Sequence, residues 1–309
     1  MERPQAITHA LVDGVRYSNA FKRLYSRDDV DDIEPLYLMT RWSSLAEQGP
    51  ILVRLKSNSL AEEANKDDRL YRSLSLLSSQ ASTSELGKHL GRFITFTGEE
   101  GEHEQLLRFA DPLVTKHWLS SYGSELPAEI MGPIDAWWVA DWVPNWAMPR
   151  SLTWQKFRSS LSSEPVMQEN AFPPMGSSQL AALDGVDRWQ LKERLTDYFK
   201  EHAAEAWRNL PAEDRGQWLD ERLNDAIAWG ASTERQLAIW VDLSLNWGEE
   251  FIESNGGLYR CWREQSSSGP RLSRQDQLYA LDAWSRTLAA NTSQRTRNHA
   301  LPFLGTTLY

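Results

Sequence analysis

The sequence predicts an α/β N-terminal lobe, a mixed sheet with flanking helices, followed by an all-α C-terminal lobe. Over the first 115 residues, short apolar runs alternate with helical patterns, as repeated strand-helix units do. From about residue 180, apolar residues recur at steps of three and four, which is the helical period. A stretch rich in Ser, Pro, Gly and Met separates the two patterns. We therefore expect an α/β domain at 1–157, a linker at 158–178 and a helical lobe at 179–309.

Strands in the first lobe are predicted where apolar runs meet turn residues. "HALVDG" (9–14) predicts a strand that ends at Gly14, and a helical pattern follows it at 18–26. "EPLYLMT" (34–40) and "PILVRLK" (50–56) predict two more strands, each introduced by a proline.

Capping residues mark the helices that come next. Ser82 and Glu85 stand three positions apart, as in a capping box, and so predict a helix start. Two β-prone runs around a charged, glycine-bearing turn predict a hairpin over 93–109. Pro112 fits the first turn of the next helix, where its missing N–H costs nothing, and Asp111 can cap that helix.

Four tryptophans lie in "GPIDAWWVADWVPNW" (132–146). Both alternating faces of this segment are apolar, which predicts a strand buried on its two sides. We interpret Trp137, Trp138 and Trp142 as the wall against which the helical lobe packs. Trp146 lies beyond the strand, and we expect it to be exposed.

The helical lobe is expected to contain about five helices. Gly230 can close the second of them, and Thr233 with Gln236 can cap the next. The C-terminal tail is basic at first and then apolar.

Composition and charge limit the classes of function. The chain is 41% hydrophobic and 25% charged, which is typical of a folded protein. Its net charge of -10 repels phosphate backbones and anionic lipids, so we expect neither nucleic acid nor membrane as a partner. The N-terminus has no apolar run of the signal-peptide kind, and no segment reaches the roughly 18 apolar residues of a membrane helix. Cys261 is alone, which favours a reducing cytoplasm.

Catalytic motifs are absent from the sequence. We find no phosphate-binding GxxxxGK[ST], no GxSxG, no HExxH and no GxGxxG. The six histidines show no pair at helical ligand spacing, and a lone cysteine cannot form a thiolate cluster. We therefore expect no catalytic residue, no cofactor and no metal, and interpret the protein as a non-enzyme.

An alternative is a glycan-binding protein or a glycoside hydrolase that uses tryptophan platforms, because acidic, Trp-rich proteins include such enzymes. Asp135 and Asp141 share one face of the predicted strand, but their spacing along it is roughly 20 Å. A glycosidase pair needs about 5 to 9.5 Å. This pair therefore fails, although another acid could partner either residue.

Six segments, in order, resemble the bacterial type VI secretion effector chaperones, also called adaptor proteins, whose conserved domain was long catalogued only as a domain of unknown function. The segments span nearly all of the N-terminal half and are "ALVDGVRY", "EPLYLMT", "QGPILVRLK", "STSELGKHLGRFITF", "LLRFADPLVTKHW" and "MGPIDAWW". The second half resembles the more variable C-terminal lobe of the same proteins, mainly around "AIAWGASTERQLAIWVDLSLNWGEEF".

The resemblance implies a non-enzymatic function. Such a protein holds one toxic effector in the producing cell and delivers it to the VgrG spike, sometimes with a PAAR-type tip. The family's pattern falls here on Asp13, Gly14, Pro50, His89, Leu90, Arg108, Asp111, Pro112, Gly132 and Pro133. We interpret these as fold residues: Arg108 is placed to pair with a carboxylate, and Gly132 with Pro133 turns the chain into the last strand.

Partner specificity is expected in the variable helical lobe. Tryptophan is also the residue of binding hot spots. We therefore predict that Trp146, Trp240, Trp247 and Trp262 contact the partner.

Overall fold

The structure, a computed structural model, describes residues 3–97, 104–123, 125–159, 175–254, 256–266 and 272–299, with side chains up to 288. Contacts divide the chain into two compact units. The first unit is Met1–Val143 with Pro149–Gln190, and the second is Pro144–Met148 with Leu191–Tyr309. The predicted fold class is confirmed, because a sheet with helices is followed by helices alone. Most of the predicted linker, at 160–174, lies outside the described residues.

The described strands and helices have the following bounds. The strands are β1 His9–Asp13, β2 Val30–Pro35, β3 Pro50–Leu55, β4 Leu74–Ser78, β5 Thr95–Thr97, β6 Glu104–Leu106, β7 Ala136–Ala140 and β8 Trp154–Phe157. The helices are α1 Ala20–Tyr25, α2 Ser59–Ala64, α3 Asp68–Tyr71, α4 Thr83–Gly91, α5 Pro112–Ser120, α6 Ala128–Met131, α7 Ser177–His202, α8 Ala204–Asn209, α9 Arg215–Trp229, α10 Glu234–Trp247, α11 Leu258–Gln265 and α12 Arg274–His299.

Six strands form one sheet, in the order β2-β3-β1-β4-β7-β8. Every neighbouring pair in it is antiparallel. β1 lies inside the sheet, where Leu11 pairs with Leu52 of β3 on one side and with Ser75 of β4 on the other. β5 and β6 form a separate antiparallel hairpin, which confirms the prediction over 93–109.

The sheet is covered on both faces. Because side chains alternate along a strand, Trp137 enters one apolar core and Trp138 the other. The Trp137 core includes side chains of α4, α5 and the part of α7 before Gln190, whereas the Trp138 core includes α1, α2 and α3. All five residues of β7 are buried, so the prediction of a strand buried on both sides is confirmed.

The second strand does not lie where the sequence predicts it. β2 ends at Pro35, and the residues after it form turns in which the Leu38 N–H donates to the Pro35 carbonyl and the Thr40 N–H to the Tyr37 carbonyl, both at 3.0 Å. The predicted strand at 34–40 is therefore wrong beyond Pro35. β2 itself is acidic, with the sequence VDDIEP, and lies at the edge of the sheet. Charged residues are typical of edge strands because they prevent pairing with another chain.

The second unit is helical throughout its described part. A capping box joins Thr233 and Gln236 at the start of α10, as predicted. Gly230 ends α9 with a φ of 114°, in the left-handed region that favours glycine. From α7 to α12 the described chain forms six helices, against about five predicted. None of the described helices has the length and hydropathy needed to cross a bilayer.

Gly14 lies where the end of β1 meets the β2–β3 loop. A Cβ at this position would overlap the backbone carbonyl of Glu47, which cannot rotate away. We expect Gly14→Ala to lower the free energy of unfolding by more than about 1 kcal/mol. Gly91, which has open space around its Cβ position at the end of α4, is the matched control. Gly91→Ala should be neutral or stabilising by up to about 1 kcal/mol in urea unfolding, and equal losses for the two variants would contradict this account.

Candidate functional site

Two buried carboxylates and two arginines meet at the end of β1. Arg108 Nη2 donates to both carboxylate oxygens of Asp13, at 3.0 and 2.9 Å. Arg16 Nε donates to Asp111 Oδ1 at 2.7 Å. Asp111 Oδ2 lies 3.4 Å from Arg108 Nη2, which joins the two pairs. We call Asp13, Arg16, Arg108 and Asp111 the charge network.

Local backbone geometry positions each member of the network. Asp13 is the last residue of β1, and its carboxylate accepts the Arg16 backbone N–H at 2.9 Å. Asp111 caps α5 by accepting the Leu113 N–H at 3.0 Å, with Pro112 in the first turn. The predicted cap and the predicted carboxylate partner of Arg108 are both confirmed. The network therefore ties β1 to the start of α5.

Burial and charge act against each other in the network. Burial raises the pKa of Asp13, and the Arg108 guanidinium opposes that shift. Burial alone would lower the pKa of Arg108, but the carboxylates of Asp13 and Asp111 outweigh it and raise that pKa. The arginine is therefore held charged beside its two carboxylates.

Trp142 lies beside the network and between two guanidinium groups. The Arg16 guanidinium carbon is 5.6 Å from the indole centroid, and that of Arg72 is 5.3 Å away. Both distances are within the range of cation–π attraction. Trp142 itself is buried.

The remaining predicted fold residues lie in strands and turns around the same sheet. Pro50 begins β3 opposite Asp13. Leu90 is fully buried in α4. Gly132 has a φ of 50°, and its missing Cβ leaves space for the His89 ring. The Pro133 carbonyl accepts the Ser79 hydroxyl at 2.6 Å before β7 begins.

His89 is a buried, neutral histidine. Its Nε2 lies 2.9 Å from the Ile130 carbonyl, an acceptor, so Nε2 carries the ring proton. Burial lowers the pKa of His89 from 6.5 to about 4, although the hydrogen bond to Ile130 opposes the shift. Burial also lowers the pKa values of His9 and His117.

The lowered pKa of His89 makes the fold sensitive to acid. Below pH 6.5 the unfolded chain binds a proton at this ring, whereas the folded chain does so only near pH 4. Stability should therefore be lost as the pH falls from about 6.5 to about 4, by about 3 kcal/mol from this residue alone. An NMR titration of the His89 ring should give a pKa well below 6.5. A His89 pKa near 6.5 would contradict this expectation.

The tryptophans predicted to contact a partner are mostly buried. The predicted exposure of Trp146 is wrong: its side chain is 6% exposed, with Lys192 Nζ 4.6 Å from the ring centroid. The cause is that residues 144–148 pack within the second unit. Trp240 and Trp262 lie in the core of that unit, whereas Trp247 is 43% exposed. A partner role for these four residues stays a prediction.

Four exposed apolar side chains were not predicted from the sequence. They are Val15, after β1, and Leu38, Met39 and Leu45, between β2 and β3. The Gly14 N–H, which donates to the Gly49 carbonyl, joins the two chain segments that carry them. We call these four residues the loop surface. The sequence does not indicate that these residues are exposed, because apolar residues in short runs predict burial.

Metal-ligating side chains are not clustered in the described residues. Among them, no group of three or more His, Cys, Asp or Glu side chains is placed to hold an ion. In the charge network, each carboxylate lies within 3 Å of an arginine nitrogen. The network therefore has a structural role, because it joins β1 to α5, and it lies next to the loop surface.

Comparison with known proteins gives one match. Residues 8–126 match the family model described as Domain of unknown function (DUF4123). This family is associated with type VI secretion effector adaptors. No curated protein and no solved structure matches the chain. The charge network, His89 and the loop surface all lie within the DUF4123 match, whereas the second unit lies outside it.

Proposed function

We propose that this protein is a non-enzymatic type VI secretion adaptor, which binds one toxic effector in the cytoplasm of the producing bacterium and loads it onto the VgrG spike. The observation that carries the proposal is the DUF4123 match over residues 8–126. The six ordered sequence segments that resemble effector chaperones support it independently of the helical half.

The chemistry of the first unit fits a binding role. Residues on which the family's pattern falls hold backbone and charge in place: Asp13 pairs with Arg108, Asp111 caps a helix, and His89 bonds to a carbonyl. None of them forms a nucleophile–base pair in the described structure. The mechanism is differential binding, in which the adaptor covers an apolar segment of the effector until the spike complex assembles.

The test is affinity purification of the tagged protein from its own bacterium, followed by mass spectrometry. We expect one large toxin-like protein together with a VgrG spike protein. The matched control is the tagged Gly14→Ala variant. It should recover less partner only in proportion to the fraction of the variant that is unfolded. Recovery of the folded wild-type protein alone would overturn the proposal.

A further inference from the structure

We propose that the loop surface, Val15, Leu38, Met39 and Leu45, binds a segment of the effector that carries a carboxylate between apolar side chains. The inference rests on the proposed adaptor function and names the surface and the chemistry of the partner segment. It places this contact on the first unit, within the DUF4123 match, and not on the tryptophans of the second unit.

The apolar side chains of this surface are unusually open to solvent. Met39 is 94% exposed, and Val15 and Leu38 are each more than half exposed. Clustered exposed apolar residues mark interaction sites more often than single ones do. Methionine adds an adaptable side chain that suits recognition of an irregular apolar segment.

The backbone under these side chains is already ordered. Gly14 N–H donates to the Gly49 carbonyl at 3.1 Å, which joins the two loops. Gly49 in turn packs against the Tyr37 ring so closely that a Cβ has no room there. Turn hydrogen bonds from Leu38 and Thr40 fix the tip. Binding of a partner therefore costs little conformational entropy in the backbone of this surface.

Charge next to the surface favours a carboxylate. Arg16 follows Val15 directly, and its side chain and that of Arg108 are 27% and 43% exposed, while the carboxylates that hold them are buried. Arg108 donates to Asp13 and approaches Asp111 through Nη2 alone, which leaves N–H donors on Nε and Nη1. A partner carboxylate can accept a hydrogen bond from either of these donors. A second copy of this chain, with a net charge of -10, is a poor occupant by comparison.

The experiment compares Met39→Asp, Met39→Lys and Met148→Asp for binding to the effector that co-purifies with the wild type. Met148 is 68% exposed, is the same residue type and lies outside the loop surface, so it is the matched control. We expect Met39→Asp to weaken binding by about tenfold or more, as loss of a hot spot does, and Met148→Asp to leave it unchanged. Met39→Lys should weaken binding less than Met39→Asp, because the partner segment is acidic.

A second readout is independent of substitutions. With ¹³C-methyl methionine labelling, the Met39 signal should shift or broaden when the effector is added, and the Met148 signal should not. A wild type that binds effector while Met39→Asp binds equally well would overturn the loop surface and leave the adaptor function intact. A greater loss of affinity for Met39→Lys than for Met39→Asp would overturn the proposal that the partner segment carries a carboxylate. A wild type that binds no effector would overturn the adaptor function, and this inference with it.

Discussion

Trp138→Ala should lower the free energy of unfolding by about 3 to 5 kcal/mol, the cost of truncating a buried large side chain. Trp138 is 1% exposed in β7 and packs in the core beneath α1, α2 and α3. Urea unfolding followed by circular dichroism measures the loss. Tyr25→Ala removes an exposed aromatic ring from the same unit and should cost less than about 1 kcal/mol. A loss for Trp138→Ala no larger than that of the control would contradict the packing of Trp138 in this core.

Neighbouring tryptophans allow a finer comparison. Trp137 Nε1 donates to the Ser75 hydroxyl at 2.8 Å, whereas Trp138 Nε1 has no partner in the described structure. Replacing each indole by phenylalanine removes a similar volume. Trp137→Phe also leaves a buried hydroxyl without its donor, so it should cost about 1 kcal/mol more than Trp138→Phe.

The second large effect is expected in the charge network. Arg108→Met leaves Asp13 and Asp111 buried beside an apolar side chain. Breaking a buried ion pair costs about 3 to 5 kcal/mol, and because Arg108 is 43% exposed we expect the lower end, about 3 kcal/mol. Arg41→Met, which breaks the exposed pair with Glu104, should cost less than about 1 kcal/mol.

A double-mutant cycle separates the ion pair from packing. Asp13→Asn removes the buried charge and keeps an oxygen for the Arg16 backbone N–H. Combined with Arg108→Met, it should recover about 2 kcal/mol relative to the sum of the single losses. Additive losses would show that Arg108 acts through packing alone.

The parts of the fold predicted correctly are those with local signals. The Ser82 and Thr233 capping boxes, the Asp111 cap and the apolar faces of β7 are each determined within a few residues. β4 was not predicted, because the sequence LSLLS has no alternation and its partners β1 and β7 are distant in the chain. The five residues of β4 are buried because the strand lies between β1 and β7 in the sheet.

The site was predicted only in part for the same reason. Asp13, Arg108 and Asp111 fall on the pattern of the family that the sequence resembles, and their roles at a strand end, in an ion pair and as a helix cap were interpreted from there. Arg16 lies outside that pattern, and no local signal points to its partner Asp111, 95 residues away. Burial of Trp146 likewise depends on α7, which carries Lys192 and follows much later in the chain.

The proposed role of this protein, which is to link an effector to the VgrG spike, is tested by reconstitution. The purified effector and VgrG are passed over a sizing column with and without this protein, and the fractions are analysed by mass spectrometry. We expect the effector to migrate with VgrG only when the adaptor is present. Equal co-migration of effector and VgrG without the adaptor would contradict the account.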